Sequence, residues 1–216
     1  MGKHWAKQQA NQNELEDLLV LGMTWIHLNR QKAAAIAGGI LVLASVGGFI
    51  LYTAHKKATA AWNGLFISRS LAYSGHAKEA LEEIQRMEND YPGQPATAYA
   101  DLFGGDVLYQ GGQYKDALSY YQKVLDQGRP TVILPFALGD TALTQEAMGY
   151  CQDASATAQR FLDTYPDNFL APQVHLSLAR CLDTLGDKVQ AKADYQKIAI
   201  EYPGTSFAAL AQKNSQ

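Results

Sequence analysis

The sequence predicts an all-α chain: an apolar N-terminal helix able to span a membrane, a solenoid of four helix-turn-helix units, and a C-terminal capping helix. Two observations carry most of this. Glycine recurs at Gly75, Gly112, Gly149 and Gly186, always 37 residues apart, and five residues after each comes an alanine, Ala80, Ala117, Ala154 and Ala191. Proline closes three of the units at Pro92, Pro166 and Pro203, while the second has Arg129 at that place and Pro130 next. A fixed period of about 20 to 50 residues marks a stacked repeat architecture. The other observation is the stretch AAAIAGGILVLASVGGFILYT, Ala33 to Thr53, which carries no charge.

The N-terminal tail, residues 1–32, contains NELEDLLVLGMTWIHLNR. Asn13 and Glu16 make a capping-box-like start for an amphipathic helix over about 14–28. It lies at a membrane surface or against another subunit, or begins a longer membrane helix; the pattern fits both.

Residues 33–54 form the predicted transmembrane helix. At ~1.5 Å per residue its length is ~32 Å, close to the ~30 Å of a hydrocarbon core. Nine large apolar side chains favour insertion by about 4 kcal/mol. Four glycines (Gly38, Gly39, Gly47, Gly48) would burden a water-soluble helix but are common in membrane spans. A cleaved signal would need a shorter leader and core. Small residues four apart, Ala35 with Gly39 and Ala44 with Gly48, would also let two such helices associate. Arg30 and Lys32 precede the span and Lys56 and Lys57 follow it, so charge favours neither orientation.

HKKATA, residues 55–60, reads as a short linker to the solenoid over 61–216, divided as 61–97, 98–134, 135–171 and 172–208 with a cap over 205–216. In the second unit the first helix runs through YADLFGGDVLYQ and the second through YKDALSYYQKVLDQ, with Leu118, Tyr121, Val124 and Leu125 at helical spacing. Glycine makes the turn between them, alanine lets the second helix press on the first, and proline ends the unit. Thr205 or Ser206 is the expected N-cap of the last helix.

Charge and motifs exclude several functions. Residues 61–216 carry 12 Lys plus Arg against 18 Asp plus Glu, a net charge of -6, unsuited to nucleic acid. The chain lacks P-loop, nucleophile-elbow and H-E-x-x-H patterns, and its histidines (His4, His27, His55, His76, His175) are scattered, so neither catalysis nor a metal or other cofactor is expected. Cys151 and Cys181 fall in adjacent units; they are two small buried residues or, in an oxidising compartment, a bridge.

The order of small, glycine, alanine and proline positions resembles the tetratricopeptide repeat family. The small residue of the first helix is met by Ser68, Gly105, Ala142 and Ala179, and the period is three residues longer than the usual ~34. The resemblance implies a right-handed α-solenoid whose first helices line a concave groove for protein or peptide partners. Carrying over the family's groove positions selects Trp62, Tyr99 and Phe136 as an aromatic column, with Leu65, Arg69, Leu102, Asp106, Tyr109, Leu143 and Arg180. Aromatic and arginine side chains are the usual anchors of interfaces; the column equally suits the joints between repeats.

A single span followed by such repeats, with the acidic ELEDL ahead of it, is similar to the bacterial ancillary subunits of the SecYEG translocon (the YfgM-like family). That likeness implies a single-pass inner-membrane scaffold with a cytoplasmic N-terminus and periplasmic repeats that meet translocon subunits or chaperones. The phrases MENDYPGQPATAYADLF and IEYPGTSFAALAQK also resemble the repeat lipoprotein of outer-membrane protein insertion and the periplasmic division coordinator. The alternative is therefore a cell-envelope assembly or division component.

Overall fold

The computed structural model describes residues 17–214, and the Asn13–Glu16 helix start expected above lies outside them. Among the described residues there are ten α-helices, one short 3-10 helix (Thr131–Ile133) and no strand. The chain divides into two units, Met1–His55 and Lys56–Gln216.

In the first unit, α1 (Asp17–Leu28) is apolar on every side rather than two-faced, since Leu18, Leu19, Val20 and Leu21 follow one another and all are exposed. Only Asn29 separates it from α2 (Arg30–Tyr73). The hydrogen-bond ladder passes through that residue: the Asn29 N–H donates to the Trp25 carbonyl at 2.9 Å, and the Asn29 carbonyl accepts from the Ala33 N–H at 2.9 Å. The apolar window of α2 has a mean hydropathy of 2.3, and none of it is buried. This is compatible with a membrane anchor. Residues 55–60 are helical and belong to α2, not to a linker, because HKKATA contains neither glycine nor proline to stop the helix.

The second unit stacks helical hairpins. The end of α2 pairs with α3 (Ala77–Asp90), α4 (Pro95–Gln110) with α5 (Tyr114–Gln127), α6 (Leu134–Ala147) with α7 (Cys151–Thr164), and α8 (Ala171–Thr184) with α9 (Lys188–Glu201). The second helix of each hairpin buries three positions at i, i+4 and i+7, one side of a helix. These are Ala80, Ile84 and Met87; Ala117, Tyr121 and Val124; Ala154, Ala158 and Phe161; and Ala191, Tyr195 and Ile198. All stand 37 residues apart in column.

The second hairpin matches size across this interface. Where the second helix carries the bulky Tyr121, the first carries Gly105, and a Cβ there would meet the tyrosine ring at 2.4 Å. In the next hairpin the same two positions hold Ala142 and Ala158, both fully buried.

The turns are equally regular. Gly75, Gly112, Gly149 and Gly186 all have positive φ, 83°, 72°, 78° and 89°, a region that side chains with a Cβ resist. Proline stands in the first turns of α4, α6 and α8, where its fixed φ suits a helix start. The stack ends in α10 (Ser206–Asn214), which buries Ala208 and Ala211. Thr205 is its N-cap, with Oγ1 accepting from the Ala208 N–H at 3.1 Å. Cys151 and Cys181 are free thiols, buried together with Ala154; burial pushes the Cys181 thiol up.

Two glycine substitutions separate steric from backbone constraint. Gly105→Ala drives a methyl into Tyr121 and should cost about 1–3 kcal/mol in urea unfolding. Gly149→Ala meets nothing within 4 Å and should cost only the left-handed backbone penalty, about 1 kcal/mol. A Tyr121→Leu background should relieve the first and leave the second unchanged.

Candidate partner-binding groove

The first helices of successive hairpins touch along the stack, α4 with α6 and α6 with α8. Contacts of that extent do not join α5, α7 and α9 to one another among the described residues. The first helices therefore sit on the inner, concave side, and their inward positions form the groove.

Of the residues expected there, Trp62 is exposed, and Tyr99, Leu102, Asp106, Tyr109, Phe136 and Leu143 are half-buried. Trp62 and Tyr99 are in ring contact at 5.6 Å between centroids. Tyr99 also packs against the apolar clusters on both sides of it. Phe136 meets Phe169 at 5.5 Å. The aromatic column thus closes joints and faces the groove at once.

Two expected groove residues are engaged elsewhere. Leu65 is 6% exposed and packs with Ala61, Ile84 and Met87, because its position on α2 faces the second helix of its hairpin. Arg180 makes a two-pronged bond to Glu146, with Nε to Oε1 at 2.5 Å and Nη2 to Oε2 at 2.8 Å, and so clamps α8 to the end of α6.

Arg69, also expected there, is exposed, and beside it the groove holds Tyr73, Phe103 and Asp140, which the sequence mapping missed. Arg69 places its guanidinium 5.7 Å from the Phe103 ring centre, and Tyr73 meets the same ring at 6.1 Å. Together with Asp106 they line a hollow of about 410 Å³. A smaller hollow of about 170 Å³ lies farther along, with Asp106 and Asp140 on its walls. Asp140 is 37 residues after Phe103, so the period alone put it in register with a groove position; its acid identity broke the aromatic pattern and hid it.

The two carboxylates are a charge-bearing pair in a poorly hydrated wall. Burial pushes Asp106 up to about 6, against the Tyr121 hydroxyl, which donates to Oδ1 at 3.0 Å, and against the Arg69 charge. Burial, then the charge of Asp106, raises Asp140 to about 7. A cation entering this hollow would relieve both costs. The arrangement suits recognition of a protein segment with apolar and basic side chains.

Comparison with known proteins follows this geometry. Residues 67–131 and 173–205 match two tetratricopeptide repeat models. The second unit is similar to solved structures at a level that shows the fold. YrrB, described as a TPR protein with an unusual peptide-binding site, shares 16% identity at a TM-score of 0.57, over 72% of this chain and 74% of that one. A putative kinesin light chain from Podosopora anserina with nearly identical TPR-like repeats shares 12% at 0.58, over 73% and 84%. MamA from residue 41 to its end, from Desulfovibrio magneticus RS-1, shares 17% at 0.57, over 74% and 87%. A search of curated proteins finds no match. Tetratricopeptide repeats mediate protein–protein contact and scaffolding, which the concave groove here can serve.

Because the folded Asp140 ionises at about 7 rather than near 3.8, the native chain holds a proton that the unfolded chain has lost between those values. Its contribution to stability, complete at low pH, is lost as pH rises through about 7. Asp140→Asn should therefore raise the unfolding temperature by about 2–6 °C at pH 8 and by nothing near pH 4, followed by circular dichroism.

Proposed function

We propose that this chain is a membrane-anchored, non-catalytic scaffold that holds protein partners in the concave groove of its tetratricopeptide repeats. The carrying observation is the groove itself, where exposed Trp62 and half-buried Phe136 accompany the paired carboxylates of Asp106 and Asp140. Large aromatic side chains left accessible along a concave wall are the residue type that anchors interfaces, and Trp62 stays 46% exposed even with its ring against Tyr99.

The anchor is the apolar part of α2, whose window is unburied and has a mean hydropathy of 2.3. In this reading it spans the bacterial inner membrane, with the N-terminus cytoplasmic and the repeats periplasmic, beside the protein translocation machinery. Support for that address is the order of elements and the likeness to ancillary translocon subunits. The partners are then translocon subunits or periplasmic chaperones, and lipid is met through the N-terminal helix. Association through α2 with another membrane helix fits its small-residue spacing.

A photoreactive residue placed at Phe136 in membranes should capture a discrete partner, and Tyr99→Ala with Phe136→Ala should abolish capture from a probe at Trp62. Capture that survives the double substitution would remove the groove from the account. Alkaline carbonate washing of membranes should leave the chain in the pellet, with Met1 or Gly2 at its N-terminus. A mature start near Ala61 would instead favour the envelope-assembly reading.

A further inference from the structure

The position filled by His175 recurs in every hairpin as Gly64, Asp101, Leu138 and His175. Each lies on a first helix where it meets the cleft between two second helices, and from Asp101 onward each cleft is completed differently. Between α3 and α5, Tyr120 leans across with Lys123 4.3 Å over its ring, Lys123 is bonded to Glu88, and Asp101 Oδ2 accepts from Gln127 at 3.1 Å. A hollow of about 340 Å³ nearby is lined by Gly93, Gln94, Pro95, Gln127, Arg129 and Pro130, and Asp101 does not reach it. Between α5 and α7, Leu138 packs with Phe161 and Leu162 in an apolar cluster.

Between α7 and α9 neither solution is used. Asp194 stands where the second hairpin has Tyr120, a loss of a whole aromatic ring, and a hollow of about 680 Å³ opens beneath the α7–α8 connection. His175 lines this hollow at only 5% exposure, and its Nδ1 is buried with no hydrogen-bond partner. Buried polar atoms left unpaired are rare and costly.

The charge of the hollow is one-sided. Asp163, Asp167, Asp194 and Glu201 line it, against the single cation Lys197, which lies 3.9 Å from Glu201. Asp163 is partly satisfied by Gln159, which donates to Oδ1 at 2.8 Å. Burial lowers His175 to about 4, with Lys197 acting the same way, so the imidazole is neutral and able to accept. The Tyr202 ring lies 6.2 Å from it, and Phe169 at the mouth is 71% exposed.

We propose that this hollow is a socket for an arginine side chain of a partner protein, held by the carboxylates of Asp163, Asp167 and Asp194 and by the imidazole of His175. A guanidinium brings five N–H donors in one plane and stacks on aromatic faces, whereas a lysine ammonium is compact and strongly hydrated. Four carboxylates against one lysine, beside the exposed Phe169 ring and the Tyr202 ring, match the first. The socket lies at the α7–α8 connection, and Phe169 at its mouth meets Phe136 of the groove at 5.5 Å between ring centres.

The test uses the full chain in detergent micelles with ring-labelled histidine, whose five histidines give a short, assignable spectrum. The probes are the capped pentapeptide acetyl-Gly-Gly-Arg-Gly-Gly-amide and its citrulline counterpart, which has nearly the same shape and no charge. The His175 signal should shift saturably with the arginine peptide at millimolar concentration, and about tenfold more weakly or not at all with citrulline. Asp194→Asn should weaken the response about fivefold or more, and Asp194→Tyr, which fills the hollow as Tyr120 does, should abolish it. Tyr99→Ala, which touches no residue of the socket, should leave it unchanged. Equal response to both peptides, no saturable shift with either, or an unaltered response in Asp194→Asn overturns the proposal. A shift driven by protein concentration alone would assign the socket to a second copy of this chain and equally overturn a foreign partner.

Discussion

A single helical hairpin cannot shield its own apolar side, and the rest of the second unit depends on how this chain meets that constraint. The contact that does so is the column formed by Ala80, Ala117, Ala154 and Ala191 with the residues one and two turns later, pressed against small residues of the facing helix. Interiors pack at the density of organic crystals, so each large residue in this interface needs room opposite it. Tyr121 finds it at Gly105, where a Cβ would meet its ring at 2.4 Å, while Tyr195 in the same column stands opposite Ala179. Once each hairpin is closed in this way, its remaining apolar side is covered by the next, and α10 covers the last. The inner groove is a by-product, since first helices approach one another more closely than second helices do.

The same regularity makes departures informative. Positions 37 residues apart share a place in the fold but not a duty. At the His175 column the chain places glycine, aspartate, leucine and histidine in turn, and the junctions become a tightly packed contact, a hydrogen-bonded polar joint, an apolar joint and an open hollow. Polar groups at such joints must find partners or carry a penalty. The second junction satisfies this internally through Gln127 and leaves only Asp101 Oδ1 unbonded, whereas the fourth leaves His175 Nδ1 buried and unbonded beside an open hollow.

The first unit is built differently. Its apolar residues are exposed on all sides of α1 and α2, an arrangement that water penalises and a hydrocarbon environment does not. Its glycines are spread through the helix without a neighbour to pack against. Backbone satisfaction within the helix itself, including across Asn29, is the condition any segment must meet to reside in lipid.

The sequence by itself determined the period, the helix-turn-helix unit, the turn glycines with their left-handed backbone, and the apolar segment, because each is written locally: in spacing, in residues with special backbone freedom, or in an unbroken run. It also put Trp62 and Phe136 in one column of first-helix positions, since a helix face follows from spacing. Only the tertiary structure decided that Leu65 is core and that Arg180 is spent on Glu146. It likewise decided that Asp140 joins Asp106, and that His175 lines an open socket while Leu138 and Asp101 in its column do not. Those outcomes depend on which side chains from other hairpins arrive at the same place, and distance through space is not recorded in distance along the chain.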